Sequence, residues 1–400
     1  MKLSVVIPAL NEEESIASII ERTLNAENYL KQNSPVTSLE IIVVSDGSTD
    51  KTVEIATTYL PKIKLIIFEK NKGYGAAIKQ GWSEATGDLL AFIDADGTCD
   101  PLFFSNLCNL LNDKNADVVL GCRLNKESKM PFIRRLGNFI FAKLLTFLSS
   151  NYVKDTASGM RVVRKSSLKK IYPLPDGLHF TPAMSARALL NAEIIIAEEN
   201  MPYHEREGES KLSVTKDGIR FLKVILNTAF LYRPQILINV VSLFSFFIAI
   251  VLMYNPILHY INFKNVSNWM IYRFIVSEVF ALIGVVLFSS SYILHNTVWL
   301  SLSENIESNK TKGFSVKFFD SKVSTLLAII FMFLGIYIIS DSLLTRFETG
   351  KTNEHWSRYI IFSYLEVTAL ILFVTKWCKW ILELLKDRIV FIQSDEYKKL

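Results

Sequence analysis

The order of hydrophobic and polar positions divides the chain into two regions of different character. Over the first 230 or so residues, short apolar runs alternate with segments in which apolar residues recur every three or four positions. The short runs indicate buried β-strands and the wider spacing indicates amphipathic helices. This alternation predicts an α/β fold with a mostly parallel sheet covered on both faces. The predicted strands are Leu3–Ile7, Ile41–Val44, Lys64–Phe68, Leu89–Ile93 and Val118–Leu120, with helices near 12–26, 50–60, 74–85 and 101–113.

The rest of the chain contains long apolar runs of a kind that soluble proteins lack. Each run is near the roughly 20 residues that a helix needs to cross a bilayer core. The pattern predicts an all-α transmembrane domain over 236–381, after a soluble domain over 1–220, and a cytoplasmic tail over 382–400. The stretch 221–235 has helical apolar spacing and is expected to lie in the membrane interface. The four predicted spans are 236–254, 274–294, 324–344 and 359–377.

Composition and charge agree with an integral membrane protein. Half of the 400 residues are hydrophobic, and much of the excess behind the net charge of +5 lies beside the apolar runs, where it would meet anionic lipid headgroups. Nothing in the sequence suggests binding to nucleic acid. The chain start lacks the apolar region of a signal peptide, so we expect the N-terminal domain on the cytoplasmic face, in a bacterial inner membrane. Glu278 and Glu366 lie within predicted spans, and the sequence leaves their role open.

Polar residues follow four of the predicted strands at the point where each strand ends. The four ends read PALNEEES, SDGSTD, EKNKGYGAA and DADGTCDP. Ligands of open parallel sheets bind outside the carboxyl ends of the strands. Asp94 and Asp96 can place one carboxylate on a divalent cation and the other on a sugar hydroxyl or on a water of that cation, although a lone D-x-D also occurs in turns by chance. The pair therefore suits a metal–diphosphate complex.

Five stretches, taken together and in order, resemble the family 2 inverting glycosyltransferases of the dolichyl-phosphate mannose synthase type. The resemblance covers about residues 1 to 225 and implies a nucleotide-sugar-binding fold of the GT-A type. It also implies transfer of a hexose from a UDP- or GDP-sugar to a polyprenyl phosphate, such as undecaprenyl or dolichyl phosphate. Relatives with similar C-terminal helices also favour a homo-oligomer. The stretches are VVIPALNEEESI, IIVVSDGSTDKT, NKGYGAAIKQGWSEATGDLLAFIDADGTCDP, DTASGMRVVRKSSL and HEREGESKLSVTKDGIRFL.

The resemblance further implies roles for individual residues. The second-strand motif of the family usually has two acids before Gly-Ser, whereas Ser45 replaces the first one here. On the donor side, the implied contacts are Pro8, Ala9, Asn11 and Glu13 along the nucleotide, Asp46 at the base, Asp94 near the ribose and diphosphate, and Asp96 on Mg²⁺ or Mn²⁺, with Asp94 beside it. On the acceptor side they are Arg123 and Arg134 on the phosphate and Ser158 and Arg161 beside the acceptor path, while Arg206 and Lys211 would close over the diphosphate.

A phosphate acceptor would explain the basic cluster GCRLNKESKMPFIRRLG. A phosphate monoester, with a second pKa of about 6, is largely ionised at neutral pH and attacks without a dedicated general base. Arginine matches phosphate oxygens with a planar pair of donors, although a basic surface over anionic lipid is an alternative explanation. The metal at Asp96, with Arg206 or Lys211, would carry the charge of the leaving group. The expected reaction is one displacement with inversion at the anomeric carbon.

Two other functions share some of these features. A processive membrane polysaccharide synthase has the same nucleotide-sugar half, but its Q-x-x-R-W motif is missing because none of the six tryptophans follows an arginine. A membrane scaffold that binds a nucleotide sugar without turnover is the second alternative. The intact D-x-D pair and the basic residues favour an enzyme over such a scaffold.

Overall fold

The computed structural model describes residues 1–125, 130–149, 151–204, 214–302, 313–349 and 355–393. These residues separate into two compact units, Met1–Ala229 and Phe230–Leu400. The division lies a few residues beyond the boundary at 220 that the hydrophobic pattern predicts.

The described part of the first unit is built on one seven-stranded sheet. Its strands are β1 (Lys2–Ala9), β2 (Ser38–Ser45), β3 (Lys64–Ile67), β4 (Leu89–Ile93), β5 (Val118–Cys122), β6 (Met160–Arg164) and β7 (Ile196–Asn200). They lie in the order β3-β2-β1-β4-β6-β5-β7. β6 runs antiparallel to both β4 and β5, and the other pairings are parallel. The predicted mostly parallel sheet is thus confirmed, with one antiparallel strand that the sequence pattern did not reveal.

The register of the sheet brings the predicted strand ends to one edge. Ala9 pairs with Ser45, and Ser45 pairs with Ile67. Asp94 directly follows the last residue of β4. The polar ends of these strands therefore meet at the carboxyl edge of the parallel part of the sheet.

Helices cover both faces of the sheet because the strand residues alternate in direction. Val5 and Ile7 of β1 pack in the core with α1 and α4, whereas Val6 packs with α3 and α7. The helices of this unit are α1 (Ile16–Asn33), α2 (Thr52–Thr57), α3 (Tyr74–Ser83), α4 (Phe104–Asp113), α5 (Phe132–Leu148), α6 (Leu168–Ile171), α7 (Phe180–Leu190) and α8 (Val214–Tyr232).

The first helix begins later than the predicted residue 12, for a reason visible in the neighbouring loop. The backbone amides of Asn11, Glu12 and Glu13 donate to Ser48 Oγ, Thr52 Oγ1 and Asp50 Oδ2, respectively. These bonds keep residues 11–13 outside the helix. Asn11 also has a φ of +50°, which an α-helix does not allow.

Among the residues that the structure describes, the second unit contains four helices that are long and apolar enough to cross a membrane, as predicted. They correspond to α9 (Pro234–Phe263), α10 (Ile271–Leu302), α12 (Val323–Thr349) and α13 (Trp356–Gln393), with the short α11 (Phe314–Asp320) between the second and third. The predicted interfacial helix 221–235 differs from the structure, because α8 ends at Tyr232 and Pro234 opens α9. Proline has no N–H group and is suited to the first position of a helix, so the stretch is divided between two helices.

Polar side chains join the long helices to each other. Ser242 Oγ of α9 donates to the Gly284 carbonyl of α10 at 2.7 Å. Ser363 Oγ of α13 donates to Glu278 Oε1 of α10 at 2.5 Å. Hydrogen bonds of this kind help membrane helices to associate. A structural role in helix pairing thus accounts for Glu278.

Candidate active site

A cavity of about 460 Å³ lies where the parallel strands end. Its wall brings together carboxylates, arginines and apolar groups from five strand ends and several helices. Of the residues that the sequence indicates, the wall contains Pro8 and Ala9 at the end of β1, Asp46 after β2, Asp94 and Asp96 after β4, Arg123 after β5, and Arg134 on α5. The three predicted aspartates and the two predicted acceptor arginines thus share one cavity.

Asp94 is held in position by a tyrosine and a glycine. The Tyr74 hydroxyl, at the start of α3, donates to Asp94 Oδ1 at 2.7 Å. Gly159 lies so close that a Cβ atom at this position would overlap the Asp94 carboxylate. Only glycine therefore fits beside Asp94 in this arrangement.

Asp96 is fixed by the turn that follows it. Its Oδ1 atom accepts hydrogen bonds from Thr98 N at 3.2 Å and from Thr98 Oγ1 at 2.7 Å. Arg22 of α1 holds the same turn by donating to the carbonyls of Gly97 at 3.3 Å and Cys99 at 3.1 Å. The side chain of Asp96 is buried yet lines the cavity, so its orientation is set before any ligand binds.

Asp46 binds the beginning of the third helix. Its Oδ1 accepts from Lys72 N at 2.7 Å and its Oδ2 accepts from Gly73 N at 2.9 Å. Gly73 has a φ of +109°, which favours glycine. Burial raises the pKa of Asp46 above its ordinary value, although these two bonds oppose the shift. Each carboxylate oxygen has a second lone pair, so a ligand can still bind to Asp46.

Arg123 forms a buried ion pair with Asp155 at the cavity. Its Nε donates to Asp155 Oδ2 at 2.7 Å and its Nη2 to Asp155 Oδ1 at 2.9 Å. Nη2 also donates to the Ala157 carbonyl at 2.7 Å. Within the described part of the chain, Nη1 has no hydrogen-bond partner in this arrangement. Arg123 therefore keeps a donor for a ligand while Asp155 fixes its plane.

The ion pair shifts the pKa of both partners. Asp155 is completely buried and also accepts from Asn138 Nδ2 of α5 at 2.6 Å. Burial alone would raise the pKa of Asp155, but the Arg123 guanidinium outweighs burial and holds that pKa below its ordinary value. Burial would likewise lower the pKa of Arg123, and Asp155 raises it instead. Both groups are therefore ionised at neutral pH.

Among the further residues that line the cavity, sequence reasoning did not single out Tyr74, Tyr203 and Arg220 as site residues. Tyr74 lies between the two glycines of GYGAA. Tyr203 lies under the Arg123 guanidinium, with 5.5 Å from Cζ to the ring centre. Arg220 of α8 pairs with Asp217 at 3.1 Å. Arg220 lies in SVTKDGIRFL, part of a stretch that carries the family resemblance, so the sequence could have indicated it. No local sequence pattern indicates Tyr74 or Tyr203 as site residues.

Several residues with a predicted ligand contact lie elsewhere. Asn11 Oδ1 accepts from Thr49 N at 2.8 Å, and Glu13 Oε2 accepts from Lys51 N at 3.0 Å. Both side chains thus bind the loop after β2, and Glu12 lines the cavity instead. The contacts between the nucleotide and Asn11 or Glu13 that the resemblance implies stay predictions.

Ser158 and Arg161, for which the sequence predicts acceptor contacts, do not line the cavity. Both residues are completely buried. Ser158 Oγ donates to the Gly121 carbonyl at 2.6 Å, and Arg161 donates to the carbonyls of Ser158 and Thr156 at 3.1 and 2.9 Å. Their side chains therefore support the cavity from behind. Arg206 and Lys211 lie outside the described residues.

The carboxylates suit a hard cation that is shared with a ligand. Among the described residues, no group of three or more His, Cys, Asp or Glu side chains is placed to hold a metal ion. Mg²⁺ typically binds one or two carboxylates and completes its shell with water and substrate phosphates. Asp94 and Asp96, two oxygen donors at one cavity, fit this kind of site.

Comparison with known proteins identifies the family. The glycosyl transferase family 2 profile matches residues 4–172. Dolichyl-phosphate hexose transferase of Haloferax volcanii is 32% identical over 231 residues, which cover 56% of this chain and 92% of that protein. This chain belongs to glycosyl transferase family 2, and its N-terminal unit is a glycosyltransferase domain of the GT-A type.

Two further proteins are similar over the same part. Low-salt glycan biosynthesis hexosyltransferase Agl6 of Haloferax volcanii is 34% identical over 231 residues, or 57% of this chain and 54% of that protein. The match thus spans about half the length of Agl6. A crystal structure of glucosyl-3-phosphoglycerate synthase from Mycobacterium tuberculosis, in complex with Mn²⁺, UDP and phosphoglyceric acid, has a TM-score of 0.46 and 23% identity, covering 57% of this chain and 78% of that one.

Proposed function

We propose that this protein transfers a hexose from a UDP- or GDP-sugar to a polyprenyl phosphate. One observation carries the proposal: a single cavity contains Asp94 and Asp96 together with Arg123 and Arg134. The carboxylates suit a metal-bound diphosphate and the arginines suit a second phosphate group. The similarity to the dolichyl-phosphate hexose transferase of Haloferax volcanii supports the transfer of a hexose and the lipid phosphate acceptor.

On the donor side, Asp94 and Asp96 would hold Mg²⁺ or Mn²⁺ with the diphosphate of the nucleotide sugar. When bound, the cation supplies positive charge for the departing diphosphate. Asp96 is held by Thr98 and Asp94 by Tyr74, so both carboxylates are oriented in advance. Preorganised charges of this kind are usually the largest contribution to such catalysis.

On the acceptor side, Arg123 and Arg134 would bind the polyprenyl phosphate. One phosphate oxygen attacks the anomeric carbon, a new C–O bond forms, and the bond to the nucleoside diphosphate breaks. The acceptor is ionised at neutral pH, so no side chain needs to remove a proton. Attack opposite the leaving group inverts the anomeric configuration, giving a β-linked product from an α-linked donor.

The apolar helices would bring the site to its lipid substrate. A polyprenyl chain stays in the bilayer, and four helices of the second unit are long and apolar enough to cross it. We place the glycosyltransferase domain on the cytoplasmic face, where nucleotide sugars are made. The spans then serve as the anchor of an enzyme whose acceptor never leaves the membrane.

The test uses the full chain in detergent with undecaprenyl phosphate, a panel of radiolabelled UDP- and GDP-hexoses, and either Mn²⁺ or EDTA. We expect label in the organic phase with one donor and only with metal. NMR of the product is expected to show an anomeric configuration opposite to that of the donor. Label in polymer would identify a polysaccharide synthase, and donor binding without a lipid product would identify a scaffold.

A pair of variants serves as the control within the same loop. Asp96→Ala is expected to abolish transfer. Asp100→Ala is expected to retain transfer, because Asp100 does not line the cavity. Its carboxylate Oδ1 instead lies 3.8 Å from Arg22 Nη2. Equal activity of both variants would contradict the proposed role of the Asp94–Asp96 pair.

A further inference from the structure

The Asp94 carboxylate is confined on two sides. On one side, Tyr74 donates to Oδ1 at 2.7 Å. On the other side, the backbone at Gly159 leaves no room for a Cβ atom next to Oδ2. Rotation of the carboxylate would break the hydrogen bond or bring an oxygen against the glycine. The two groups therefore define one orientation of Asp94.

The Tyr74 hydroxyl is itself held at a fixed place. Tyr74 is the first residue of α3, and the preceding Gly73 N–H donates to Asp46. Its ring makes edge contacts with Phe92 and Phe180, each with 6.4 Å between ring centres. Burial and the Asp94 carboxylate raise the pKa of Tyr74 well above its ordinary value. The hydroxyl thus remains a proton donor at neutral pH.

A buried arginine supports the backbone on the Gly159 side of the Asp94 carboxylate. Arg161 of β6 pairs with Phe92 of β4, two residues before Asp94. It donates to the carbonyls of Ser158 and Thr156, which come just before Gly159, where the backbone meets Asp94. Its Nη1 atom has no hydrogen-bond partner among the residues that the structure describes. Burial lowers the pKa of Arg161 to about 10, so it keeps its charge at neutral pH.

We propose that Tyr74 is a positioning residue, whose hydroxyl holds Asp94 against Gly159 in the orientation that binds the metal–diphosphate part of the donor. The inference rests on the proposed function and adds a residue to it. Tyr74 acts through Asp94 and not through its own contact with the nucleotide. The D-x-D motif alone does not specify such a partner.

The experiment compares Tyr74→Phe with the wild type in the full chain. Phenylalanine keeps the ring contacts and removes only the hydroxyl. Calorimetric titration with UDP, or with GDP if the donor panel selects a GDP-sugar, is carried out in Mn²⁺ and in EDTA. We expect Mn²⁺-dependent binding to weaken about tenfold, the size typical of a hydrogen bond to a charged group. The donor KM should rise by a similar factor while the acceptor KM stays constant.

A matched control removes an equivalent hydrogen bond far from the cavity. The hydroxyl of Tyr59 donates to Glu21 at 2.8 Å on an exposed surface. Tyr59→Phe is expected to bind nucleotide and metal as the wild type does. In an Asp94→Ala background, Tyr74→Phe should have no further effect, because its partner is gone.

The outcomes separate this inference from the proposed function. Unchanged binding by Tyr74→Phe would overturn the inference alone. So would an equal loss in EDTA, or a further loss in the Asp94→Ala background, since either result means that Tyr74 touches the nucleotide itself. A wild-type protein that binds neither nucleotide with Mn²⁺ would overturn the proposed function and this inference with it.

Discussion

The aspartates of the cavity and Arg123 are held in place by different kinds of partner. Asp46, Asp94 and Asp96 accept hydrogen bonds from neutral groups, namely backbone amides and hydroxyls. Arg123 instead depends on the buried charge of Asp155, 32 residues further along the chain. Loss of a neutral donor costs about 1 to 3 kcal/mol, whereas loss of one partner of a buried ion pair leaves an uncompensated charge and costs about 3 to 5 kcal/mol. The two sides should therefore respond very differently to mutation.

The largest effect is expected for Asp155→Ala. The variant leaves the Arg123 side chain, which is only 12% exposed, without its counter-charge. We expect the free energy of unfolding of the first unit to fall by about 3 kcal/mol. Transfer should fall about a hundredfold, because Arg123 loses its orientation. Urea titration of the full chain in detergent, followed by limited proteolysis of the first unit, measures the first quantity.

Two variants establish the cause of that loss. Glu27→Ala removes an exposed pair with Lys31, 2.8 Å long, and should cost at most about 0.5 kcal/mol. The double variant Arg123→Ala/Asp155→Ala should recover part of the stability, since no charge is left buried alone. If Asp155→Ala were no more destabilising than Glu27→Ala, the contrast between the two sides would be wrong.

Arg134→Ala should weaken binding of the acceptor without changing the free energy of unfolding. Arg134 lines the cavity but is not deeply buried, so its removal is expected to leave stability unchanged. The KM for polyprenyl phosphate should rise roughly thirtyfold, equivalent to about 2 kcal/mol for a charged hydrogen bond. Arg135→Ala is the matched control, since Arg135 is the next residue on α5 and does not line the cavity. Equal effects of both variants would indicate a general attraction to anionic lipid.

Thr98→Val tests the side that relies on neutral donors. Valine keeps the shape of the side chain and removes the 2.7 Å bond to Asp96 Oδ1, while the backbone bond at 3.2 Å remains. We expect about fivefold slower transfer at limiting Mn²⁺, or roughly 1 kcal/mol. Thr57→Val, which changes an exposed hydroxyl bonded within α2, should have no effect. A loss as large as that of Asp155→Ala would remove the distinction between the two sides.

The smallest expected effect near neutral pH is that of pH on the free energy of unfolding. The pKa of Asp155 is lower in the folded protein than its ordinary value of about 3.9. Its stabilising contribution is therefore complete above that value and is lost as the pH falls through the folded pKa. Urea titrations between pH 7 and pH 3 should show a steeper acid loss for the wild type than for Asp155→Asn. Parallel curves would mean that the pair does not stabilise the fold through charge.

The same contrast decides how much of the site could be predicted from the sequence. Strands such as Leu89–Ile93 are continuous apolar runs, and the polar residues after them are adjacent in the sequence. Asp94, Asp96 and the edge at which they meet were therefore predictable. The sequence also indicated Arg123 and Arg134 as cavity residues, through the resemblance to a known family.

The supporting contacts were not predictable in the same way. The strand Met160–Arg164 contains two arginines, and the first is buried only because backbone carbonyls accept its hydrogen bonds. A charged residue in a short run argues against a buried central strand, so β6 was missed. The pairing of Arg123 with Asp155, which also accepts from Asn138 of α5, depends on the segment just before that strand, and no local pattern marks it.

The segment 155–159 has a consequence for how such an enzyme can change its specificity. Asp155 and Ala157 bind Arg123, and Gly159 borders Asp94. Five consecutive residues thus fix the distance between the group that would retain the departing nucleotide and the group that would receive the incoming lipid. Under the proposed function, the distance between these two groups does not depend on which sugar is transferred. Changes in other parts of the cavity wall can accommodate a new sugar, while the direction from which the acceptor phosphate attacks stays the same.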